Sequence, residues 1–470
     1  PPSPPAIPAG AAAVPGAPPP TPATPASASR PRWIALALAC ALALAAGVAA
    51  LVVATGGRAP REPEPPVVAI DPREVRDAEV FVLAFEHAGP HLEASAGARR
   101  IADRLVEALS RFDDVRVRRI VRDAPATPDT PGFVLSGTYD LRFGEAVVSA
   151  RLESRAGGEV IWTRRVSLAT SSLAAAAAED SLVRDWSTVL GEPGGVIQAQ
   201  VSRALGATPS FQDSPYGCIA IVYAYWRDFN PVEHARAREC LSRGIAREPD
   251  FAHGHALKAY ILLDEYRLGY NRRPGAAPLD EALASALQAV LLTPDRPRAL
   301  QALCSVHFTR GDRSAAEPAC RRGIAVNPYD NDLRADLGVK TILWGDFERG
   351  LALVDEATRF NPVPPNWYHA FGAVAAFMLG NQAEVIVRMR RAPVDGYLPG
   401  RLMRIVAEDL QGNTLAVREQ MASLVSAQPE LARTPRAVLR LVFPNEAILD
   451  RLTPLIERLA TSDAGRRQVP

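Results

Sequence analysis

The sequence of 470 residues lacks the short motifs by which most enzymes of this length are recognised. It has no P-loop, no G-x-S-x-G, no H-E-x-x-H, no C-x-x-C and no dinucleotide-binding fingerprint after a strand. Each of those motifs holds a nucleophile, a metal or a phosphate at a fixed spacing. We therefore expect a protein that is not an enzyme and that needs no cofactor.

The sequence also lacks an excess of charge of one sign. Its 53 Lys and Arg residues nearly balance its 52 Asp and Glu residues, for a net charge of +1. Nucleic-acid binding normally depends on a strongly basic surface, so we expect no nucleic-acid partner for this chain. Lysine is almost missing, since only Lys258 and Lys340 occur and the remaining basic residues are arginines. That bias suggests a GC-rich genome and says little about mechanism.

Cysteine is scarce, with five residues in the whole chain. They are Cys40, Cys218, Cys240, Cys304 and Cys320. Five cysteines are too few for a disulfide scaffold but enough for one or two staples.

The first 32 residues contain 12 prolines among Ala, Ser, Thr and Gly, and they offer nothing that could pack a core. We interpret residues 1–32 as a disordered, Pro-rich linker. The chain begins with Pro, which fits either a processed start or the cut edge of a longer protein. Because a linker normally joins two parts, we expect a further domain before it.

Residues 33–54 read WIALALACALALAAGVAALVVA, a run of 22 residues without charge. At about 1.5 Å per residue, a helix of this length spans the roughly 30 Å hydrocarbon core of a bilayer. A signal peptide is the competing interpretation, but the run is long for one and follows thirty Pro-rich residues. Arginines flank both ends and leave the orientation undecided. The segment predicts one transmembrane helix, with the lipid bilayer as its partner.

A spacer at 55–78 precedes a segment of mixed helix and strand patterns at 79–206. EVFVLAFE (79–86) reads as a strand, residues 96–112 as an amphipathic helix, and DVRVRRI (114–120) alternates. Residues 132–168 read as three strands joined by two glycine turns, and a helix near 179–206 closes the unit. We predict a compact β-α-β-β-β-α domain there.

The remaining segment, 214–455, is helical and periodic. Gly311 and Gly345 are 34 residues apart, as are Asn327 and Asn361, each of which precedes a proline. Small residues recur 12 and 5 positions before most of the spaced prolines, where two antiparallel helices would approach closely. This is the tetratricopeptide (TPR) pattern. It predicts a right-handed solenoid of five to six repeats, one of which carries an insertion around EYRLGYNRRPGAAPLD, followed by a tail at 456–470.

The order of these parts resembles that of two kinds of bacterial membrane receptor. The segment VFVLAFE…GFVLSGTYDLRFGEAVVSARLESRAGGEVIWTRRVSL resembles a TolB-N-terminal-like domain. SPYGC, LDEYRLGYNRRP, NPVPPNWYH and FPNEAILDRL resemble the TPR region attached to it. The relatives are membrane-bound class III adenylate cyclases and CadC-type winged-helix regulators. The resemblance covers roughly residues 33–455 and implies a mainly α fold with a small α+β domain, although neither a cyclase domain nor a winged helix is present in the sequence.

Four cysteines fall within the repeats in two pairs, each split across one predicted hairpin. Cys218–Cys240 and Cys304–Cys320 would each staple one hairpin in an oxidising compartment. Four buried free thiols are the alternative, and the sequence alone allows three connectivities. Disulfides would also fix the orientation, with the N-terminus inside and the C-terminal region in the periplasm.

First helices line the concave groove of TPR solenoids, and insertions often lie on a binding face. The aromatic pair in NWYH could contact a ligand, or could instead pack on the neighbouring repeat. Asp264 and Glu265 could act as an acid–base pair, but an ion-pair network with NRRP in the insertion is the favoured interpretation. The candidate binding groove comprises Asp264, Glu265, Tyr266, Arg272, Arg298, Gln301, Asp332, Trp367 and Tyr368.

Two further patterns have ordinary explanations. Arg310–Asp312 spells RGD, yet Gly311 occupies the turn that the repeat requires. His253 and His255 with Cys240 could suggest zinc, but two histidines two apart on a helix point in different directions and no third ligand follows at a recognisable spacing. We expect no metal.

The favoured function is a single-pass protein of the bacterial inner membrane with a periplasmic TPR sensor or docking region. It would bind a peptide, a protein or a small ligand, with a second copy of the chain as a further partner, and signal to a cytoplasmic effector absent from this sequence. A stand-alone envelope scaffold is one alternative. Others are the C-terminal part of an adenylate cyclase or transcriptional regulator, and a reversed orientation with reduced cysteines.

Overall fold

A computed structural model describes residues 79–87, 92–120, 132–142, 144–155, 158–169, 172–206, 215–361, 364–392 and 397–464. The expected linker at 1–32, membrane helix at 33–54 and spacer at 55–78 lie outside the described residues. None of the helices within those described ranges is both long and apolar enough to span a bilayer. All of the described residues belong to one compact unit.

The N-terminal part of this unit is a five-stranded mixed sheet in the order β2-β1-β3-β4-β5. β1 pairs in parallel with β2 and β3, whereas β4 runs antiparallel to both β3 and β5. The strands are β1 (Glu79–Leu83), β2 (Arg116–Ile120), β3 (Phe133–Arg142), β4 (Glu145–Ser154) and β5 (Val160–Ala169). The helices of this part are α1 (Leu92–Leu109), α2 (Ser172–Gly191) and α3 (Val196–Gly206). The three strands expected within 132–168 are confirmed as β3, β4 and β5.

Two features of the predicted β-α-β-β-β-α order were wrong. The sheet has a fifth strand, β2, which lies within the alternating residues 114–120 that the predicted order left out; it is an edge strand with mostly exposed side chains. The single closing helix expected near 179–206 is instead two helices, α2 and α3, separated by the GEPGG loop. A side chain at Gly195 would lie 2.8 Å from the carbonyl oxygen of Val189, which explains why glycine stands at this sharp turn.

Six antiparallel helix pairs follow in the described residues and make a TPR-like helical repeat. Each pair stacks on the next, so that apolar faces which a single pair could not bury are covered by its neighbours. The pairs are α4 (Pro215–Asp228) with α5 (Pro231–Arg247), α6 (Ala252–Leu268) with α7 (Pro278–Leu292), α8 (Pro297–Thr309) with α9 (Arg313–Val326), α10 (Asn331–Leu343) with α11 (Phe347–Phe360), α12 (Asn366–Met378) with α13 (Gln382–Arg391), and α14 (Leu398–Leu410) with α15 (Thr414–Ala427).

The repeated Gly-Asp dipeptide makes the turn inside a pair. Gly311 and Gly345 have φ of +79° and +98°, a left-handed conformation that favours glycine. Asp312 then caps the next helix by accepting a hydrogen bond of 3.0 Å from the backbone N–H of Ala315. The RGD sequence is thus explained by the turn and the cap that every such hairpin needs.

The small residues of the pattern lie where paired helices touch. A side chain added at Gly350 on α11 would lie 2.7 Å from the carbonyl oxygen of Gly338 on α10. Only glycine lets these two backbones approach so closely. Ala237, Ala282 and Ala316, at the equivalent position of earlier pairs, are fully buried.

The asparagines of the repeated Asn-Pro dipeptide hydrogen bond to the N-terminal part of the unit, residues 79–206, which we call the sheet part. The side-chain amide of Asn327 donates to the backbone oxygen of Arg111 (3.2 Å), and that of Asn361 donates to Glu192 Oε2 (2.6 Å). Glu192 Oε1 also accepts from the backbone N–H of Asn331 at 2.8 Å. Glu192 follows the end of α2, so this region reaches two successive inter-repeat turns.

The C-terminal helices close the repeat rather than extend it. They are α16 (Glu430–Arg433), α17 (Pro435–Val442) and α18 (Glu446–Ala464). The tail predicted at 456–470 was wrong over its first nine residues, since α18 continues through them. Ile456 is fully buried and Leu459 nearly so, because α18 packs along the last repeat and covers its open apolar face.

Candidate ligand-binding site

The inner side of the repeat forms a partly open cavity of about 670 Å³, which we call the inner cavity. Its wall is built mainly from first helices of the pairs, α4, α6, α8, α10 and α12, with α17 lying across it. First helices come together in this way because the second helices occupy the outer layer of the stack. The cavity is therefore a product of the repeat itself.

Eight of the residues that line the cavity are aromatic. Phe229 and Tyr397 stack with ring centroids 4.6 Å apart, and Phe371 meets the edge of Tyr397 at 6.1 Å. Trp226 and Tyr260 make an edge contact at 5.4 Å. The eight lining aromatic residues are Trp226, Phe229, Tyr260, Tyr266, Phe308, Trp367, Phe371 and Tyr397. Rings fixed against one another in this way form a stable apolar surface for a ligand.

Charged groups on α10 interrupt this apolar surface. Asp332, Asp336 and Lys340 are spaced four residues apart and share one helix face, which lines the cavity. Lys340 Nζ lies 2.5 Å from Asp336 Oδ1 and 5.7 Å from the centre of the Phe308 ring. Burial lowers the pKa of Lys340, and the neighbouring Asp336 opposes that shift.

The other lining charges are also paired. Arg267 lies 2.7 Å from Asp264 on the same helix. At the mouth of the cavity, Arg436 and Arg440 of α17 both bind Glu446, at 2.6 and 2.7 Å. Every ionised side chain that lines the cavity therefore has a partner of opposite sign.

Of the nine residues proposed as a binding groove, the structure brings five together in this cavity. They are Asp264, Tyr266, Gln301, Asp332 and Trp367. Two others support the wall from behind. Arg298 Nη1 lies 3.3 Å from Asp332 Oδ2, and the hydroxyl of Tyr368 donates to Asp332 Oδ1 at 3.3 Å. Tyr368 is fully buried, so it packs rather than faces a ligand.

The remaining two proposed residues, Glu265 and Arg272, belong to the insertion. Glu265 accepts from the backbone N–H and from Nε of Arg273, both at 3.1 Å, and from Arg238 at 3.0 Å. The ion-pair network expected between Glu265 and the NRRP sequence is confirmed. Arg272 is exposed in the loop that this network holds, and it lies outside the cavity.

Sequence reasoning missed several lining residues. Asp336 and Lys340 carry a detectable signal, because one of only two lysines stands four residues after an aspartate on a first helix. Phe308 and Phe371 also lie on first helices. The crossing of α17 had no signal, since its position depends on packing against α6 and α18, far apart in sequence.

Two disulfides staple the pairs on which the cavity is built. Cys218 of α4 is bonded to Cys240 of α5, and Cys304 of α8 to Cys320 of α9, with Cα–Cα distances of 5.4 and 5.3 Å. These are the two pairs that the sequence suggested. Because Cys240 is bonded to Cys218, it is unavailable to a metal. Within the described residues no group of three His, Cys, Asp or Glu side chains could hold a metal ion.

A second polar cluster lies where the sheet part meets the repeat. Asp114 accepts a hydrogen bond from Tyr223, and its other oxygen lies 3.1 Å from His253 Nδ1. Burial raises the pKa of Asp114 to about 6 and lowers that of His253 to about 4. His253 is thus a packing partner of Asp114 rather than a metal ligand.

Arg298 connects this junction to the cavity wall. Its backbone N–H donates to Asp113 Oδ2 at 2.7 Å, and its guanidinium lies 3.5 Å from Asp330 and hydrogen bonds to Gln301. Burial raises the pKa of Asp330 to about 7. One residue therefore touches both the sheet part and a side chain that lines the cavity.

Comparison with known proteins identifies no family. No family model matches the chain, and no curated protein matches it. Three solved structures of IFIT1 are similar at 14% identity. A monomeric mutant with Gppp-AAAA has a TM-score of 0.31 and covers 63% of this chain and 60% of its own. Another monomeric mutant, with m7Gppp-AAAA, has a TM-score of 0.31, and the match covers 57% of this chain and 55% of that one. The human IFIT1 dimer with m7Gppp-AAAA has a TM-score of 0.30, and the match covers 62% of this chain and 60% of that one. The chain thus spans less than two thirds of these proteins.

Proposed function

We propose that this chain is the sensory region of a membrane-anchored bacterial signalling protein, and that its helical repeat binds a small molecule in the inner cavity. The observation that carries the proposal is the cavity itself. Its volume of about 670 Å³ falls in the range of small-molecule sites, roughly 300–1,000 Å³. The crossing of α17 over the first helices favours a small molecule over a folded protein or a long peptide.

The resemblance to TolB-N-terminal-like plus TPR receptors supports the rest of the proposal. In this interpretation residues 33–54 anchor the chain in the inner membrane and the described part lies in the periplasm. The two disulfides agree with an oxidising compartment. The chain itself has no catalytic role, and a cytoplasmic effector on a separate segment gives the output.

A ligand can change the state of a sensor only through different affinities for its two states. Here one wall of the cavity is formed by α17, a helix of eight residues that buries Val438 and Leu439 and is joined to α18 by exposed ion pairs. A ligand that contacts both α17 and the first helices would stabilise the arrangement in which they face each other across the cavity. Arg298 offers a route from the cavity wall to the sheet part and so towards the membrane.

The proposal is tested by ligand screening with the full chain in lipid nanodiscs, because detergent would compete for an apolar cavity. The readout is the unfolding temperature with each member of a small-molecule library. We expect some compounds to raise it in proportion to ligand concentration. Thr309→Trp places an indole in the cavity without replacing a buried residue, and should abolish the effect.

Thr414→Trp is the matched control, because Thr414 is exposed on α15, away from the cavity. This variant should keep the ligand response of the wild-type chain. If no compound stabilises the folded wild-type chain, or if Thr309→Trp responds as Thr414→Trp does, the inner cavity is not the ligand site.

A further inference from the structure

The charges that line the inner cavity restrict what it can bind. Each ionised lining group is already next to a group of opposite sign, as in Asp264–Arg267 and Asp336–Lys340. A ligand with a net charge would enter an apolar, aromatic space without a free counter-ion. Removing a charge from water without a partner is strongly unfavourable. The lining therefore discriminates against ligands that carry a net charge.

One polar atom in the wall is nevertheless unsatisfied. Asp336 Oδ2 is buried and has no hydrogen-bond partner among the described residues, while its other oxygen binds Lys340. Buried carboxylate oxygens are normally hydrogen bonded. Next to it, the ammonium group of Lys340 can donate up to three hydrogen bonds. Asp336 and Lys340 together thus present an acceptor and a donor side by side.

A hydroxyl group is complementary to this arrangement, because it donates one hydrogen bond and accepts another. Resting on the function proposed above, we infer that the ligand of the inner cavity is an uncharged molecule of one or more rings bearing a hydroxyl group. The hydroxyl donates to the Asp336 carboxylate, which turns to bring the buried Oδ2 to the cavity, and accepts from Lys340 Nζ. The rings lie against the lining aromatic side chains, such as Phe308 and Tyr260.

Four probes with the same ring system test the inference: 2-naphthalenemethanol, 2-naphthoate, 2-naphthylmethylammonium and 3-(2-naphthyl)alanine. They carry no charge, a negative charge, a positive charge and both charges, respectively. Binding to the full chain in nanodiscs is measured by calorimetry at pH 7, with empty nanodiscs as the reference. We expect the alcohol to bind at least tenfold more tightly than each of the other three.

Three variants then test whether Asp336 and Lys340 cause the preference for the alcohol. Asp336→Asn leaves Lys340 without its counter-ion and should move the preference to 2-naphthoate. Lys340→Met should move it to the ammonium probe. The double variant restores charge balance, and should bind the alcohol no better than 2-methylnaphthalene, which has no hydroxyl. It keeps the inference testable where a single variant fails to fold because of its unpaired buried charge.

Several outcomes would overturn the inference: tightest binding of a charged or zwitterionic probe by the wild-type chain, no probe binding at all, or an unchanged alcohol affinity in the double variant. The library screen described above decides the proposed function separately. If library compounds bind in the cavity while the probes rank differently, only the ligand class is wrong. If neither the library nor the probes bind, the ligand-binding function falls as well.

Discussion

Buried carboxyl groups at the junction between the sheet part and the repeat give single residues a large influence on stability. Asp330 caps α10 by accepting from the backbone N–H of Leu333 at 3.2 Å, and it also lies beside Arg298. Glu192 is close enough that Asp330 raises its pKa further above the usual range, although burial is the main cause. The junction therefore holds several acids that resist ionisation.

This arrangement predicts the sign of a pH effect. Burial raises the pKa of Asp330 from 3.8 to about 7, so the folded chain keeps a proton that the unfolded chain releases. The stability due to that proton is fully present below pH 4 and is lost as the pH rises towards 7. Asp330→Asn can still cap the helix but cannot ionise. We expect its free energy of unfolding, relative to that of the wild-type chain, to increase between pH 5 and pH 7.5. The gain should be about 1 kcal/mol or more.

Urea unfolding of both chains at the two pH values measures the difference. Other buried groups also make stability depend on pH. Asp114, with its raised pKa, lowers stability as the pH rises, and His253, with its lowered pKa, increases it. Replacing Asp330 alone isolates its contribution. Asp312→Asn is the control, because this exposed helix cap has a lowered pKa, chiefly through the hydroxyl of Ser314. It should show no change over this range. An equal stability difference at both pH values for Asp330→Asn would refute the assignment.

At the scale of helices, two glycines of the repeat pattern should respond in opposite ways to alanine. Gly350→Ala would place a methyl group 2.7 Å from the backbone of α10, so the pair must separate. We expect a loss of about 1–3 kcal/mol in the free energy of unfolding. At Gly244 the nearest atom, Cys218 Sγ, would lie at 3.7 Å. Gly244→Ala should increase the free energy of unfolding by up to about 1 kcal/mol, because alanine has a higher helix propensity than glycine.

Chemical denaturation of the two variants beside the wild-type chain gives this comparison directly. A similar cost for both would mean that glycine serves only as a flexible residue, and that close approach of α10 and α11 does not explain the small residue at this position.

The insertion between α6 and α7 depends on one buried carboxylate. Glu265 binds Arg273 and Arg238, whereas Glu281 makes an outer, more exposed pair with Arg273 at 3.0 Å. We expect Glu265→Ala to release the loop and to increase the rate of trypsin cleavage after Arg272 several-fold. Glu281→Ala should change it little. Limited proteolysis with peptide identification measures both rates, and equal cleavage of the two variants would show that the buried network does not hold the loop.

Local patterns predicted most of these elements, because turns, caps and close helix contacts are encoded within a few residues. Gly311 with Asp312, and the small residues such as Gly350, are examples. What the sequence could not show depends on partners far apart in the chain. The docking of Asn361 on Glu192 and the crossing of α17 over the cavity are of this kind.

The same division applies to the candidate site. Trp367 and Gln301 were recognisable because first helices line the inside of such repeats. Arg298 and Tyr368 occupy equivalent stretches of first helices but lie behind the wall, and the repeat period alone does not separate the two layers. That distinction depends on the angle at which each pair stacks on its neighbour.

At the scale of the whole molecule, the two disulfides link stability to location. They close loops of sequence separation 22 and 16, for which chain entropy suggests about 3 kcal/mol each. We expect the natively expressed chain to contain both bonds and dithiothreitol to lower its unfolding temperature. Non-reducing peptide mapping identifies the pairs. Four free thiols in the native protein would contradict the periplasmic location and favour the reversed orientation.

The docking of successive Asn-Pro turns on the sheet part has an evolutionary consequence. Repeat proteins commonly gain or lose whole units, because each unit contacts only its neighbours. Here Arg111 and Glu192 hold fixed positions in the part of the chain that carries the sheet, and Asn327 and Asn361 must both reach them. Duplicating or deleting a hairpin between these two turns would put one asparagine out of reach. Relatives of this chain should therefore vary in length after α12, and keep a constant number of residues from Asn327 to Asn361.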